Sequence, residues 1–203
     1  MAMPNKLKRG DDVEKQENIE QEAVALSHLS GELDGDWTKG PVDVNVRRFG
    51  APGKKDEWLT PPGILNRLGE FDLDPCTPID RPWDTAKLHY NVVDDGLKQE
   101  WFGRVWLNPP FGPRIFEWVE KLAQHGDGIA LIPARTETKG FHSHVWGVAD
   151  GVFFFKGRQA FHNVDGSVAN GSFGAPCCLI CYGKHNVRAV LTSGIDGVMV
   201  FDA

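Results

Sequence analysis

Val105-Trp-Leu-Asn-Pro-Pro-Phe111 decides how this chain folds. Val105, Trp106 and Leu107 are apolar and suit a buried strand. The two prolines that follow lack an N–H and cannot extend a ladder, so the strand stops there. From Arg114 to Gln124, the residues Ile115, Phe116, Val119, Leu122 and Ala123 fall on one helical face. Gly128-Ile-Ala-Leu-Ile-Pro133 is then a second strand of buried type. Strand, loop, helix and strand in that order make the repeating unit of an α/β sheet.

The pattern extends in both directions. Upstream, Phe71-Asp-Leu-Asp-Pro75 reads as a short strand ended by proline. Before it, Thr60-Pro-Pro-Gly-Ile-Leu-Asn-Arg-Leu68 reads as a helix with Thr60 at the N-cap and Pro61 in the first turn. The segment Arg81 to Asn91 has no decisive period. Downstream, Lys139 to Trp146 reads as helix, and Gly151-Val-Phe-Phe-Phe155 and Ala175-Pro-Cys-Cys-Leu-Ile-Cys-Tyr182 as strands. A polar hairpin loop, Gly157 to Gly174, joins them. The expectation is one α/β domain over residues 56–203, with a mostly parallel sheet, an antiparallel C-terminal edge hairpin and helices on both faces. Residues 1–55 read as a flexible or loosely packed arm with one short amphipathic stretch, Asp11 to His28, and a Gly-, Asp- and Pro-rich run after it.

Composition narrows the function classes. The chain has 203 residues, 41% of them hydrophobic, and a net charge of −6. No apolar run approaches the roughly 20 residues of a membrane helix, and no signal peptide is visible, so a soluble cytoplasmic protein is expected. The acidic balance supplies no overall attraction for nucleic acid, so a basic face would have to come from local clustering. Of the four cysteines, Cys178 and Cys181 have C-x-x-C spacing. They lie inside an apolar strand with no second pair of ligands, and read as buried thiols rather than a metal site or disulfide.

In open α/β sheets, ligands bind beyond the carboxyl ends of the strands. Three loops fall there: Asp74-Pro-Cys76, Asn108 to Phe111, and Pro133 to Thr138. In the second, Pro109 and Pro110 stiffen the loop and leave its carbonyls free as acceptors. The Asn108 side-chain carbonyl beside the Pro109 carbonyl presents two acceptors, enough for both hydrogens of an NH2 group. Phe111 adds a flat apolar face for stacking. The loop suits a planar heterocycle that carries an exocyclic amine.

The Asn-Pro-Pro-Phe loop resembles the catalytic motif of amino-methyltransferases. The likeness continues through Trp58-Leu-Thr-Pro-Pro62, Phe71-Asp-Leu-Asp-Pro-Cys76, Asp95-Gly-Leu97 with Trp101, Leu131-Ile-Pro-Ala-Arg-Thr136, Phe141-His142 and Gly157-Arg-Gln-Ala-Phe161. In that order these segments are similar to the phage-type DNA N6-adenine methyltransferases, over roughly residues 56–183. The resemblance implies a Rossmann-like methyltransferase domain that uses S-adenosylmethionine and acts on double-stranded DNA with a flipped adenine, in a phage-infected or prophage-carrying host. It implies a catalytic set of Asn108, Pro109, Pro110 and Phe111. It places Trp58, Thr60, Pro61, Asp74, Pro75, Cys76 and Asp95 (preferred over Asp94 because Gly96-Leu97 follows) at the cofactor. Arg135, Thr136, Arg158 and Phe161 are the candidates for the substrate side.

Ordinary structural roles compete with each of these. Asp74 and Asp95 can be turn residues, Arg135 and Thr136 a helix cap, Arg158 a surface ion pair, and Phe161 a core aromatic. Where the glycine-rich turn of many cofactor loops would stand, this chain has Cys76-Thr-Pro-Ile-Asp80. Two other functions share these residues: the same chemistry on RNA or on protein glutamine, or a non-catalytic nucleic-acid-binding relative that has lost its cofactor. His142 and His144 read as helix-surface residues, not ligands.

Overall fold

The structure is a computed structural model and describes residues 58–169 and 174–201. The expected arm lies outside the described residues. In chain order the elements are α1 (Pro62–Leu68), β1 (Leu73–Asp74), β2 (Leu88–His89), β3 (Val105–Leu107), α2 (Ile115–His125), β4 (Gly128–Pro133), α3 (Lys139–His144), β5 (Gly151–Phe155), β6 (Cys177–Tyr182), α4 (Lys184–Thr192) and β7 (Gly197–Phe201).

The strands form one seven-stranded sheet in the order β2-β1-β3-β4-β6-β5-β7. The four strands from β2 to β4 run parallel, and every pairing beyond β4 is antiparallel. This corrects the expected topology. The antiparallel part is not an edge hairpin on a mostly parallel sheet but half of the sheet, because β6 inserts between β4 and β5. The edge is β7, which pairs with β5 along its whole length from Gly151↔Phe201 to Phe155↔Gly197. Helix α4 escaped the sequence reading, whereas Arg81 to Asn91 resolves into a loop and the two-residue β2.

Strand alternation divides the core into two layers. Trp106, Ile129, Leu131, Leu179 and Cys181 face α1 and α4, with Leu65, Leu68, Val187 and Val190 packed on them. Val105, Leu107, Ala130, Ile132, Cys178 and Ile180 face α2 and α3, which contribute Val119, Leu122 and Phe141. Helices therefore cover both faces, as expected. Each large apolar side chain buried this way stabilises the fold by about 1.5–3 kcal/mol, so this two-layer core is the principal favourable term. The layering also separates the C-x-x-C pair: Cys178 belongs to one layer and Cys181 to the other. Their sulfurs cannot converge on one ion.

At the amino edge of the sheet, one side chain ties several elements together. Arg104 donates to the carbonyls of Leu68 and Glu70, each at 2.9 Å, and to Asn186 Oδ1 at 2.6 Å. Its guanidinium also lies 4.2 Å from the Phe71 ring centroid. This end is a structural clamp. The opposite edge is open for chemistry.

Candidate active site

Because β1 and β3 are neighbours, with Leu73 opposite Val105, the loops that follow Asp74 and Leu107 emerge side by side. Between them opens a cleft, continuous with solvent at its mouth. Its walls hold Trp58, Thr60, Asp74, Cys76, Asn108, Pro109, Pro110 and Phe111 from the expected set. The structure therefore brings the four expected catalytic residues and four of the seven expected cofactor-side residues into one cleft.

The Asn108 amide is oriented by its surroundings. Its Nδ2 donates to the Trp58 main-chain carbonyl. A carbonyl only accepts, so the amide cannot be turned round without setting two acceptors against each other. Asn108 Oδ1 is thereby directed away from Trp58, and it is buried with no hydrogen-bond partner among the described residues. A buried acceptor left open costs about 1–3 kcal/mol, and such groups mark places where a ligand completes the bonding. The Pro109 carbonyl beside it is likewise not an acceptor in any main-chain bond among the described residues.

Thr60 was expected to cap α1 and does not. The helix begins at Pro62, its N-cap is Pro61, and no side chain caps it. The first prolines supply the right φ without needing the hydroxyl. Thr60 Oγ1 is instead buried and unpartnered among the described residues, on the cleft wall. Trp83 Nε1 and Trp106 Nε1, from two more lining residues, share that state.

Asp74 sits at the carboxyl end of β1 with only 3% of its surface exposed. Burial raises its carboxyl to about 6, opposed by hydrogen bonds from the Thr85 hydroxyl and the Cys76 main-chain N–H and by the Arg81 charge. Burial and the neighbouring Asp74 also push the Cys76 thiol well above its usual value, with a main-chain bond from Asn108 acting the other way. Cys76 is thus no thiolate nucleophile at neutral pH. It is the link between the two loops.

Phe111 lines the cleft with its ring held by Phe161, which packs edge-on at 5.8 Å between centroids and 88° between planes. Phe161 also meets Trp58 at 6.3 Å. Phe161 is 1% exposed, so it supports the site from within the core and does not line the cleft. Two main-chain bonds, Leu59 N–H to His162 O at 2.9 Å and His162 N–H to Leu59 O at 3.0 Å, dock the loop after β5 beside the Trp58–Thr60 segment. That loop reaches further: at Gly166 an added Cβ would lie 3.1 Å from Pro82, and the His162 ring meets Trp83 edge-on at 5.3 Å.

The remaining expected residues stand outside the cleft. Pro75 is buried behind it, its carbonyl against Gly96, where a Cβ would lie 1.9 Å from the oxygen. Pro61 turns the chain into α1. Asp95 adopts a φ of 54° and pairs with Lys98 at 2.7 Å, a bond that holds its carboxyl below the usual range. Arg135 and Thr136 follow β4 on the same sheet edge as Asn108, their carbonyls accepting from Thr138 and from Trp146 Nε1. Arg158 is exposed in the loop after β5. The sequence reading missed Thr77, Arg81, Trp83 and Thr85, all in the cleft wall. Their signal was the absence of glycine after Asp74, which left side chains where other cofactor loops have bare backbone. Among the described residues, no group of His, Cys, Asp and Glu is placed to hold a metal ion, and no helix is long and apolar enough to cross a membrane.

Comparison with known proteins adds one finding. The model of a family described as DNA N-6-adenine-methyltransferase (Dam) matches residues 51–192, which take in α1 through α4 and the entire cleft. No curated protein and no solved structure matches the chain.

Proposed function

The chain belongs to the DNA N-6-adenine-methyltransferase (Dam) family, and we propose that it moves a methyl group from S-adenosylmethionine to N6 of an adenine swung out of duplex DNA into this cleft. The single observation that carries the reading is Asn108 Oδ1, a buried acceptor with no partner among the described residues and an orientation fixed by the Trp58 carbonyl. An exocyclic NH2 group is the complement of that oxygen and the adjacent Pro109 carbonyl.

The residues present fit the methyl donor. Asp74 offers a buried carboxylate to the cationic end of the molecule, Thr60 an open hydroxyl, and Trp58, Trp83 and Phe111 apolar ring surfaces. Cys76 supports this wall, and Pro61 and Pro75 shape it from behind. S-adenosylmethionine supplies an electrophilic methyl on sulfur. The protein's part is positioning and polarisation. Asn108 Oδ1 and the Pro109 carbonyl accept from the two N6 hydrogens, which draws the lone pair of N6 out of the ring and aims it into the cleft. Phe111, buttressed by Phe161, stacks on the base, and Pro110 keeps the loop rigid. With the donor bound, its methyl would pass from sulfur to the N6 lone pair that Asn108 and Pro109 hold in place, and one N6 proton would leave to water. No enzyme nucleophile takes part, consistent with a Cys76 thiol held protonated.

The parallel half of the sheet, with its site at the carboxyl ends, supports a Rossmann-like methyltransferase domain. Arg135 and Thr136, in the loop after β4, and Arg158, exposed in the loop after β5, are suited to phosphate contacts that position the duplex. The loop after β5 is suited to reading it. Asp95 is not part of the proposed site.

Transfer of a labelled methyl group to unmethylated duplex DNA, with nucleoside analysis of the product and RNA in parallel, tests this. N6-methyladenine in DNA, lost in Asn108→Ala, is the expected result. Label in RNA alone, or undiminished transfer by Asn108→Ala, would sink it.

A further inference from the structure

Among the described residues that line the cleft, Arg81 is the one cationic side chain. It stands in the loop between β1 and β2, and its bonds leave most of the guanidinium uncommitted. Nε donates to Asp84 Oδ1 at 3.1 Å. Nη2 lies 3.1 Å from His89 Nδ1, and Nη1 makes no hydrogen bond among the described residues. The His89 contact is not a satisfying one. Nε2 of that ring accepts main-chain N–H bonds from Thr85 and Ala86, both at 3.2 Å. A neutral imidazole whose Nε2 accepts carries its proton on Nδ1, so a donor faces a donor at Arg81. Burial and the Arg81 charge hold His89 below its usual pKa and keep it neutral. The guanidinium of this lining residue therefore keeps N–H groups uncommitted among the described residues.

Asp74 stands on the same wall, close enough for Arg81 to lower its pKa, yet the two form no ion pair. Asp74 takes its hydrogen bonds from Thr85 and Cys76 instead. A cation and an acid held near each other but not joined match a zwitterion, in which an ammonium and a carboxylate stand one carbon apart. The methionine end of the methyl donor has that form.

We propose that Arg81 receives the carboxylate of the methyl donor's amino-acid end, with Asp74 beside it taking the cationic side. The assignment rests on the methyl-donor reading above. It also accounts for the missing glycine turn: where other loops approach an anion with bare backbone N–H groups, this loop carries a side-chain fork, suited to bidentate recognition of a carboxylate.

Calorimetry with two ligands tests it. S-adenosylhomocysteine has the amino-acid end, and 5′-methylthioadenosine lacks it. Arg81→Gln should weaken S-adenosylhomocysteine by about 10-fold or more, the scale of a charge-assisted pair, while 5′-methylthioadenosine and duplex DNA bind within twofold of wild type. Arg81→Lys, which keeps the charge and loses the fork, should recover part of the loss and serves on its own if the glutamine variant does not fold. Equal losses for both ligands would show a merely structural Arg81. A loss confined to DNA would show a phosphate contact instead. Either overturns the assignment, as does undiminished S-adenosylhomocysteine binding. Failure of the wild-type chain to bind either ligand would sink the methyl-donor reading itself.

Discussion

Asn108 donates its side-chain amide to the main-chain carbonyl of Trp58, fixing the orientation of its oxygen, the acceptor proposed for the substrate amine. The bond ties the segment that leads into α1 to the Asn108–Phe111 loop. Asn108→Ala should lower methyl transfer by about 10²–10³-fold, the scale of losing a preorganised polar group, while S-adenosylhomocysteine affinity stays within about threefold. Single-turnover kinetics beside calorimetry would check both. Asn108→Asp should be no better, because a carboxylate would set a second acceptor against the Trp58 carbonyl.

Asp74 couples the cleft to pH. Its carboxyl is raised in the folded, ligand-free protein from 3.8 to about 6, so the folded state holds this proton more tightly than the unfolded chain does. The associated stability is fully present below pH ~4 and is lost as pH rises through about 6. Two units correspond to about 3 kcal/mol. Asp74→Asn should thus be more stable than wild type at pH 7.5 by up to that amount and gain little at pH 4. Urea denaturation at the two pH values measures this. In the same variant, S-adenosylhomocysteine should bind at least tenfold more weakly. Equal affinities would remove Asp74 from the site.

Gly96 lies against the Pro75 carbonyl, with no room for a Cβ. Gly96→Ala must displace main chain immediately after Asp74, at a cost of about 1–3 kcal/mol, typical of overpacking. Thermal unfolding should show the loss, and cofactor affinity should fall with it. Retention of both would mean that the loop yields freely.

Arg104 offers the opposite case. Arg104→Met keeps a long apolar stem over Phe71 but strands the carbonyls of Leu68 and Glu70 and the Asn186 side chain. Stability should drop by about 2–4 kcal/mol with kcat little changed at temperatures where the variant is folded. A large fall in kcat without a fall in stability would contradict the division between clamp and cleft.

Much of this was legible from one short run of residues. The prolines of Asn108 to Phe111 end a strand by their chemistry alone, and Asp74-Pro75 ends another, so the positions of both site loops followed from local rules. What escaped depended on distant pairing. Nothing in Cys177 to Tyr182 says that it inserts beside β4 and not at the margin, because a fully buried strand looks the same in either place. The sequence Gly197-Val-Met-Val-Phe201 carries no alternation, since its edge position leaves most of it exposed. Thr60 was assigned to a helix cap because its type fits. Only the cleft shows that its hydroxyl is open. Arg81, Trp83 and Thr85 carry no local signal in the sequence, because their side chains stand where other cofactor loops have bare glycine backbone.

The insertion of β6 has a consequence for how the protein is made. β4 pairs on one side with β3, about twenty residues earlier, and on the other with β6, nearly fifty residues later. While the chain is still on the ribosome, β4 must wait with one bare edge until Tyr182 has emerged, a contact of long sequence separation and therefore slow to form. The catalytic loop lies at the tip of β3, immediately beside that unfinished strand. The surroundings of the proposed site are thus completed late in synthesis, and a nascent chain stalled before β6 would expose an apolar strand edge, where chaperones or self-association would act first.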